Sequence, residues 1–360
     1  MKILWFSRGY GWGHSVRDFE IIKKLECQSP EIAKAIDLYS NDDGFNAFNK
    51  MNIKCQHIDY SEDDSPSKKI SKLVEKINKI KPKYIISDEE MLVPVIAKGF
   101  NIHCDLISNW IPFSGAYIKD AFHSADTIYL TEYPDFMKIY SLEYKEKIKY
   151  TGPIFKEIFT QPNIKQYEQN IIRILISLGG RSDSNAITEN ISIIENIIEI
   201  SKSFENVNFI IHIINESIAQ IKPIESQKKL QILYSPFIDN IALESKNNDF
   251  VITSGGLNSL WEFISSSAYI LALPRSDNPM ETYYSMTMKN RGLLDYTFIK
   301  STDFKSKINE YIQSCKSNEM NEKKIKLFIE QQKIKYPSLT GSSFIASCIT
   351  NTANSIFNND

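Results

Sequence analysis

The sequence predicts an α/β protein with two doubly wound parallel sheets, one in each half of the chain. Short apolar runs alternate with segments of helical periodicity from the N-terminus to about residue 130, and the alternation begins again at Ile172. Between the halves, Gly152-Pro153 is a strong turn signal, and a polar, weakly periodic stretch follows it. Because alternating strands and helices pack as a parallel sheet covered by helices, each half is expected to form a Rossmann-like domain.

Composition agrees with two globular domains. The chain has 360 residues, which is room for two domains of ordinary size. Hydrophobic residues make up 42% and charged residues 24%, so each half can bury a core. The formal net charge is −2, with Lys and Glu mixed along the chain, which argues against nucleic acid as a partner.

The individual elements follow from the spacing of the apolar residues. In the first half, the predicted strands are 2–6, 35–39, 53–58, 84–87, 102–108 and 127–130, and the predicted helices are 14–25, 70–80 and 92–98. In the second half, the predicted strands are 172–178, 207–214, 231–234, 250–253 and 269–273. The predicted helices there are 186–200, 238–245, 255–266, 281–290, two segments before Pro337, and 343–356. We therefore place an N-terminal domain at 1–155, a C-terminal domain at 156–340 and a last helix at 341–360.

The termini and the cysteines indicate a cytoplasmic protein. The apolar run at the N-terminus is too short for a signal peptide, and no stretch approaches the ~20 apolar residues that span a bilayer. Five widely spaced cysteines, without a Cys-x-x-Cys pair, argue against a disulfide framework and a structural zinc site.

A glycine-rich loop, residues 9–13, follows the first predicted strand and leads to His14 at the start of a helix. In an open parallel sheet this loop lies at the carboxyl edge, where ligands bind. Glycines such as Gly11 and Gly13 allow a ligand close to the backbone, and a neutral His14 could take a proton from an acceptor hydroxyl. An ordinary turn before an ordinary helix is the alternative interpretation.

A second glycine pair, Gly255-Gly256, lies between a predicted strand and a helix. The free N–H groups of that helix start, at the positive end of its dipole, favour a diphosphate. Glu262, one turn further, carries paired acceptor oxygens that suit a ribose diol, although a solvated helix carboxylate is the usual fate of Glu.

A polar loop, residues 274–281, follows the next predicted strand and therefore lies at the same edge. Arg275 could bind a phosphate with two hydrogen bonds, while Asp277, Asn278 and Glu281 suit sugar hydroxyls. Taken alone, this stretch is only a polar loop.

The second and third stretches together resemble the donor-binding signature of GT-B glycosyltransferases. The resemblance is carried by Ser254-Gly255-Gly256, Glu262, Leu273-Pro274-Arg275, Glu281 and Arg291-Gly292-Leu293. The sequence is similar in particular to the family of the lipid-linked N-acetylglucosaminyltransferase of peptidoglycan synthesis and related UDP-sugar transferases. Residues 11–17 (Gly-Trp-Gly-His-Ser-Val-Arg) look like that family's first loop, 151–154 like its interdomain junction, and 179–182 like the first loop of its second domain.

The resemblance implies the GT-B fold, in which two Rossmann-like domains face each other across a cleft and the last helix packs back on the first. It implies that His14 acts as the general base in catalysis. It also implies that Phe237 and Ile238 contact the nucleobase and that Glu262 binds the ribose. The nucleotide-sugar site would comprise Gly11, Gly13, Gly180, Arg181, Phe237, Ile238, Gly255, Gly256, Asn258, Ser259, Glu262, Arg275, Asp277, Asn278 and Glu281. The family needs no bound metal, in keeping with the absence of an Asp-x-Asp motif, so no cofactor is expected.

The implied activity is metal-independent transfer of a sugar from a nucleotide diphosphate sugar, with a UDP-sugar favoured, to an acceptor hydroxyl or amine. Two alternatives stay open: a nucleotide-sugar hydrolase of the type found in pseudaminic acid synthesis, and a non-catalytic subunit that binds nucleotide sugars. Met280-Glu281 stands where the family usually has Gln, so the sequence leaves the donor sugar open.

Acceptor-binding candidates are Asp88, Trp110 and Phe113, which follow strands of the first half. The structural alternatives are an acidic helix start for Asp88 and ordinary core for the two aromatic residues. The expected partners are a small-molecule donor and acceptor, with peripheral membrane contact through lysines such as Lys68 and Lys69 left open.

Overall fold

A computed structural model of the chain describes residues 2–109, 116–133, 144–156, 170–179, 184–215, 218, 229–235, 238, 240–275, 278–317, 319–332 and 341–358. The chain forms two compact units. The first unit comprises Met1–Phe155 and Tyr336–Asp360, and the second comprises Lys156–Lys335. The second unit therefore ends at Lys335 rather than at the predicted boundary of 340.

The first unit contains a parallel sheet in the order β3-β2-β1-β4-β5-β6-β7. Its strands are β1 (Ile3–Ser7), β2 (Ile36–Ser40), β3 (Gln56–His57), β4 (Tyr84–Asp88), β5 (His103–Ser108), β6 (Thr127–Leu130) and β7 (Ile148–Tyr150). The chain winds from β1 outward to β3, then returns to β4 and winds the other way. The switch point therefore lies between β1 and β4, whose carboxyl ends are where such sheets bind ligands.

Helices lie on both faces of this sheet because each central strand is apolar on both sides. They are α1 (Gly13–Gln28), α2 (Pro30–Lys34), α3 (Asp42–Lys50), α4 (Pro66–Ile80), α5 (Leu92–Gly99) and α6 (Ala116–Ser124). Along β1, Ile3 and Trp5 join one buried cluster with residues of α1, while Leu4 and Phe6 join a second cluster with residues of α4 and α5. This double burial explains why the strands appear in the sequence as continuous apolar runs.

The second unit repeats the plan with a parallel sheet in the order β10-β9-β8-β11-β12-β13. Its strands are β8 (Ile171–Ser177), β9 (Asn208–Ile214), β10 (Leu230–Ser235), β11 (Phe250–Thr253), β12 (Ile270–Ala272) and β13 (Asp295–Tyr296). Its helices are α7 (Ser184–Lys202), α8 (Ile241–Ser245), α9 (Leu257–Ser265), α10 (Pro279–Asn290), α11 (Phe304–Lys316) and α12 (Glu319–Gln332). Here the switch point lies between β8 and β11.

The last helix, α13 (Gly341–Asn358), belongs to the first unit. Its residues Ile345 and Ile349 lie in the same buried cluster as Ile21 and Leu25 of α1. A Cβ atom at Gly341 would lie 2.6 Å from the carbonyl oxygen of Gly152. Only glycine therefore fits at this position, where the start of α13 lies against the backbone near the end of the N-terminal segment of the first unit.

The fold class predicted from the sequence, two Rossmann-like parallel sheets with interleaved helices, is confirmed. Five short or polar elements were not predicted: α2, α3, α6, β7 and β13. The predicted helix at 238–245 begins later, at Ile241, because the side chain of Asn240 accepts a hydrogen bond from the backbone N–H of Leu243 (2.9 Å) and caps it there.

Three chemical features of the described residues bear on function. All five cysteines are free thiols. Across the described parts of the chain, no helix combines the length and the apolarity needed to cross a membrane. Within those same parts, no group of three or more His, Cys, Asp or Glu side chains is placed to hold a metal ion.

Candidate functional site

The structure places polar residues at the switch point of each sheet, and each unit has its own set. In the first unit we define the histidine site as His14, Arg17, Asp88 and Glu89. In the second unit we define the glycine–arginine site as Gly179, Ser254, Gly255, Gly256 and Arg275.

His14 is the second residue of α1, directly after the loop that leaves β1. Its Nδ1 atom lies 2.8 Å from Oδ1 of Asp88, the last residue of the neighbouring strand β4. The carboxylate of Asp88 can only accept, and it lies closer to Nδ1 than the donor Nη2 of Arg17 does (3.1 Å), so we assign the proton to Nδ1, which leaves a lone pair on Nε2. The side chain of His14 remains 13% exposed, so this lone pair is placed to act as a base.

Asp88 is fully buried and is held between the guanidinium of Arg17 and the imidazole of His14. The Nε atom of Arg17 donates to its Oδ2 (2.7 Å), and Nη2 of Arg17 donates to its Oδ1. Burial by itself raises the pKa of Asp88, but Arg17 and His14 outweigh it and hold that pKa well below its ordinary value. Asp88 therefore stays ionised and orients His14. Both of its oxygens are occupied, which argues against the predicted contact with an acceptor.

Asp18, one turn along α1 from His14, is buried next to this pair. Burial raises the pKa of Asp18 well above its ordinary value, and the charge of Asp88 adds to the shift. The charge of Asp88 thus favours the protonated form of Asp18, because two neighbouring buried carboxylates repel each other when both are ionised.

The glycine–arginine site lies where β8, β11 and β12 end side by side. A Cβ atom built on Gly179, just after β8, would lie 3.4 Å from Oγ of Ser254 and 3.9 Å from Nη2 of Arg275. Gly255 has φ = +90°, and a Cβ atom there would lie 2.7 Å from Oγ of Ser285, so glycine is required.

Gly256 differs from its neighbour, because a Cβ atom there would meet nothing within 4 Å. It is the N-cap of α9, and no side chain caps this helix end. Leu257 is buried, whereas Asn258 and Ser259 of the first turn are partly exposed. The start of α9 thus offers backbone N–H groups beside open space, as an anion site requires.

Arg275 and Glu281 form a buried ion pair that the sequence did not predict. Both oxygens of Glu281 accept from Arg275, whose backbone N–H donates at 2.9 Å and whose Nε donates at 3.1 Å. Glu281 therefore fixes the position of Arg275. Both oxygens of its carboxylate are used in this ion pair, which argues against the predicted contact with sugar hydroxyls. The Nη1 atom of Arg275 is buried and has no hydrogen-bond partner among the described residues.

The remaining predicted residues have the following positions. The side chain of Asn278 caps α10 by accepting from the backbone N–H groups of Met280 (3.2 Å) and Glu281 (3.4 Å), so its oxygen is committed. Glu262 lies nearly buried on α9, and Ile238 lies partly exposed after β10. Gly11 and Gly13 belong to the first unit, beside His14. Outside the described residues lie Gly180, Arg181, Phe237, Asp277, Trp110 and Phe113.

Comparison with known proteins adds to this geometry at the level of the fold. No protein-family model and no curated protein matches the sequence. The spinosyn rhamnosyltransferase SpnG, complexed with thymidine diphosphate, superposes with a TM-score of 0.66 at 11% identity over 97% of this chain and 100% of that chain. MurG of Acinetobacter baumannii superposes with a TM-score of 0.62 at 14% identity over 98% and 100%.

The chain has the GT-B fold. A third structure with this fold, a putative UDP-N-acetylglucosamine 2-epimerase from Listeria monocytogenes, superposes with a TM-score of 0.61 at 12% identity over 100% and 98%. The GT-B fold is therefore shared by proteins named for different reactions, and the reaction of this chain has to be argued from its own residues.

Three residues of this GT-B chain were not among the site residues predicted from the sequence. Arg17 lies three positions after His14, and that spacing puts both side chains on one face of α1, so the signal was present. Glu89 follows Asp88, and its Oε2 atom lies 3.6 Å from Nε2 of His14. Thr131 accepts from Nη1 of Arg17 (3.3 Å) at a sequence distance of 114, which no local pattern reveals.

Proposed function

We propose that this chain is a glycosyltransferase that moves a sugar from a nucleoside diphosphate sugar to an acceptor hydroxyl or amine without a bound metal. Two observations carry the proposal: the buried Nη1 atom of Arg275 has no hydrogen-bond partner among the described residues, and the start of α9 adjoins open space at Gly256. A buried guanidinium N–H and the positive end of a helix dipole both suit the oxygens of a diphosphate. SpnG, whose structure contains thymidine diphosphate, shares the fold, which supports the proposal.

The proposed reaction divides between the two sites. Nε2 of His14 takes the proton of the acceptor, while Asp88 keeps the imidazole oriented and stabilises its charged form. The start of α9 and Arg275 stabilise the departing diphosphate, which accumulates negative charge as the bond to the sugar breaks. These positive groups supply the charge that a metal ion supplies in other transferases, so we propose that activity persists in EDTA.

Binding of the donor is tested by thermal shift with UDP-, TDP-, GDP- and CMP-sugars. We expect one nucleotide class to raise the melting temperature, because a ligand that binds only the folded state stabilises it. Gly256→Ala places a methyl group in the open space at the start of α9 and should weaken this stabilisation. Gly99→Ala is the matched control, because a Cβ atom there also meets nothing within 4 Å, at the end of α5.

The outcomes separate the possible activities. If no nucleotide sugar stabilises the protein, the proposal is wrong. If a donor binds and free sugar appears at full rate without an acceptor, the chain is a hydrolase. If a donor binds and neither transfer nor hydrolysis occurs in the wild type or in His14→Ala, the chain is a binding protein.

A further inference from the structure

Glu89 is a buried carboxylate with one oxygen committed and one oxygen unused. Its Oε1 atom accepts from the backbone N–H of Asn109 (2.7 Å) and from the hydroxyl of Ser108 (3.4 Å). Its Oε2 atom receives no hydrogen bond from the described residues, although the side chain is only 2% exposed. Oε2 is also not among the fully buried polar atoms, so a donor from solvent or from a ligand can reach it.

The unused oxygen lies next to the base of the proposed reaction. Oε2 of Glu89 and Nε2 of His14 are 3.6 Å apart, beyond hydrogen-bond distance. With the Nδ1 proton directed at Asp88, Nε2 carries a lone pair, and so does Oε2. Two acceptors thus lie side by side, and a ligand that satisfies both has to bring two hydrogens.

The separation of the two acceptors selects among such ligands. A single atom that bonded to both would have to hold its two hydrogen bonds at a narrow angle, because the acceptors are close together. Neighbouring hydroxyls on a sugar or cyclitol ring lie about one hydrogen-bond length apart, so each can donate to its own acceptor in a nearly parallel pair. A lone alcohol has one hydrogen and leaves one of the two acceptors unsatisfied.

We propose, resting on the function proposed above, that the acceptor substrate presents a vicinal diol and that Glu89 binds the hydroxyl next to the nucleophilic one. The nucleophilic hydroxyl gives its proton to Nε2 of His14 as its oxygen bonds to the anomeric carbon of the donor and the bond to the diphosphate breaks. Glu89 accepts a hydrogen bond from the adjacent hydroxyl and takes no proton. It is therefore a specificity residue that fixes which hydroxyl reaches the base.

The test compares trans-1,2-cyclohexanediol with cyclohexanol as acceptors, with the nucleotide sugar that gives the largest thermal shift as donor. Product is measured by mass spectrometry over a range of acceptor concentrations. We expect kcat/KM for the diol to exceed that for the mono-alcohol by at least about tenfold, after correction for its two equivalent hydroxyls, because a hydrogen bond to a charged group is worth at least that factor.

Two variants remove the carboxylate in different ways. Glu89→Asn suits the backbone, because Glu89 has φ = +52° and Asn tolerates that region well. Glu89→Gln keeps the shape of the side chain and replaces the charged carboxylate with a neutral amide. In both variants the preference for the diol should fall to within about twofold, mainly through a higher KM for the diol, while the thermal shift with the donor remains. Glu26→Gln, exposed on α1, is the control and should keep the preference.

The following outcomes would overturn the assignment of Glu89. Equal rates with both acceptors in the wild type, or a diol preference that survives in both Glu89 variants, overturns the assignment of Glu89. Donor consumption by water with neither alcohol used also overturns it, and leaves a nucleotide-sugar enzyme in place. If no donor binds or is consumed, both proposals are overturned together.

Discussion

The histidine site and the glycine–arginine site occupy the same topological position in their sheets but are built in opposite ways. At the histidine site, charged side chains bind one another, and His14, Arg17 and Asp88 are held before any ligand arrives. At the glycine–arginine site, open space lies over Gly256, and one guanidinium nitrogen of Arg275 has no hydrogen-bond partner in the described part of the chain. The first arrangement suits proton transfer, which needs fixed geometry, and the second suits capture of an anion, which needs room.

This contrast predicts different responses to substitution, and the largest loss of stability is expected at Asp88. Asp88→Ala removes the carboxylate that binds both Nε and Nη2 of Arg17. Among the ion pairs of the described residues, this buried guanidinium then keeps only the longer contact to Glu89 (3.6 Å), so we expect a loss of about 3–5 kcal/mol in the free energy of unfolding. Chemical denaturation of the variant and the wild type measures this loss. Asp37→Ala is the control, because its partner Lys2 is largely exposed, and it should lose at most about 1 kcal/mol. Similar losses in the two variants would contradict a buried network.

The next largest effect is expected at Gly255. Gly255→Ala forces a side chain into φ = +90° and against Oγ of Ser285, so we expect a loss of about 1–3 kcal/mol. Adding Ser285→Ala should recover the part due to overlap and leave the part due to the backbone. The double variant is informative because Oγ of Ser285 has no partner among the described residues, so its removal is expected to be harmless. An unchanged denaturation midpoint in Gly255→Ala would show that the turn differs from the one described.

A smaller, pH-dependent effect is expected at Asp18. The pKa of Asp18 is raised in the folded protein, so the folded state keeps a proton that the unfolded state loses above the ordinary value of 3.8. Stability from this group is therefore complete below that value and falls as the pH rises towards the folded pKa. Asp18→Asn should thus be more stable than the wild type at pH 7, by about 1.4 kcal/mol for each unit of pKa shift, and equal to it near pH 3. Urea denaturation of both proteins from pH 3 to pH 8 tests this prediction. If the extra stability of Asp18→Asn did not grow with pH, the raised pKa of Asp18 would be contradicted.

The smallest effect on stability is expected at Gly256, where the contrast with Gly255 is sharpest. Gly256→Ala meets no atom within 4 Å and has an ordinary backbone conformation, so the free energy of unfolding should change by less than about 0.5 kcal/mol. Its effect should fall on nucleotide binding instead. A loss of stability equal to that of Gly255→Ala would mean that Gly256 serves the fold and not a ligand.

The sequence predicted the fold well because both sheets are buried on both faces. Runs such as those of β1 and β11 are apolar throughout, and the loops that follow them carry glycine signals that any strand-to-helix turn requires. The missed elements lacked such a signal. Strand β13 has two residues, and α3 begins with two aspartates and a glycine, which are poor helix formers.

The sites were less predictable because side-chain pairing depends on tertiary contacts. Asp88 was assigned to an acceptor, but it meets His14 across 74 positions of sequence. Glu281 was assigned to a sugar, but it pairs with Arg275, six positions earlier in the sequence. In both cases the sequence predicted the residue and the edge of the sheet at which it lies. It did not predict the side chain that pairs with that residue. Local spacing predicts that a carboxylate lies near an edge, whereas only the folded chain shows what neutralises it.

The close approach of Gly341 to Gly152 has a consequence for biosynthesis. The first unit is assembled from two separate segments of the chain, and α13 packs against α1 with residues that are synthesised after the whole second unit. Until then the apolar face of α1 that receives Ile345 and Ile349 is uncovered, while the second unit already has its whole sequence. The core of the first unit can therefore close only after the whole of the second unit and α13 have been synthesised.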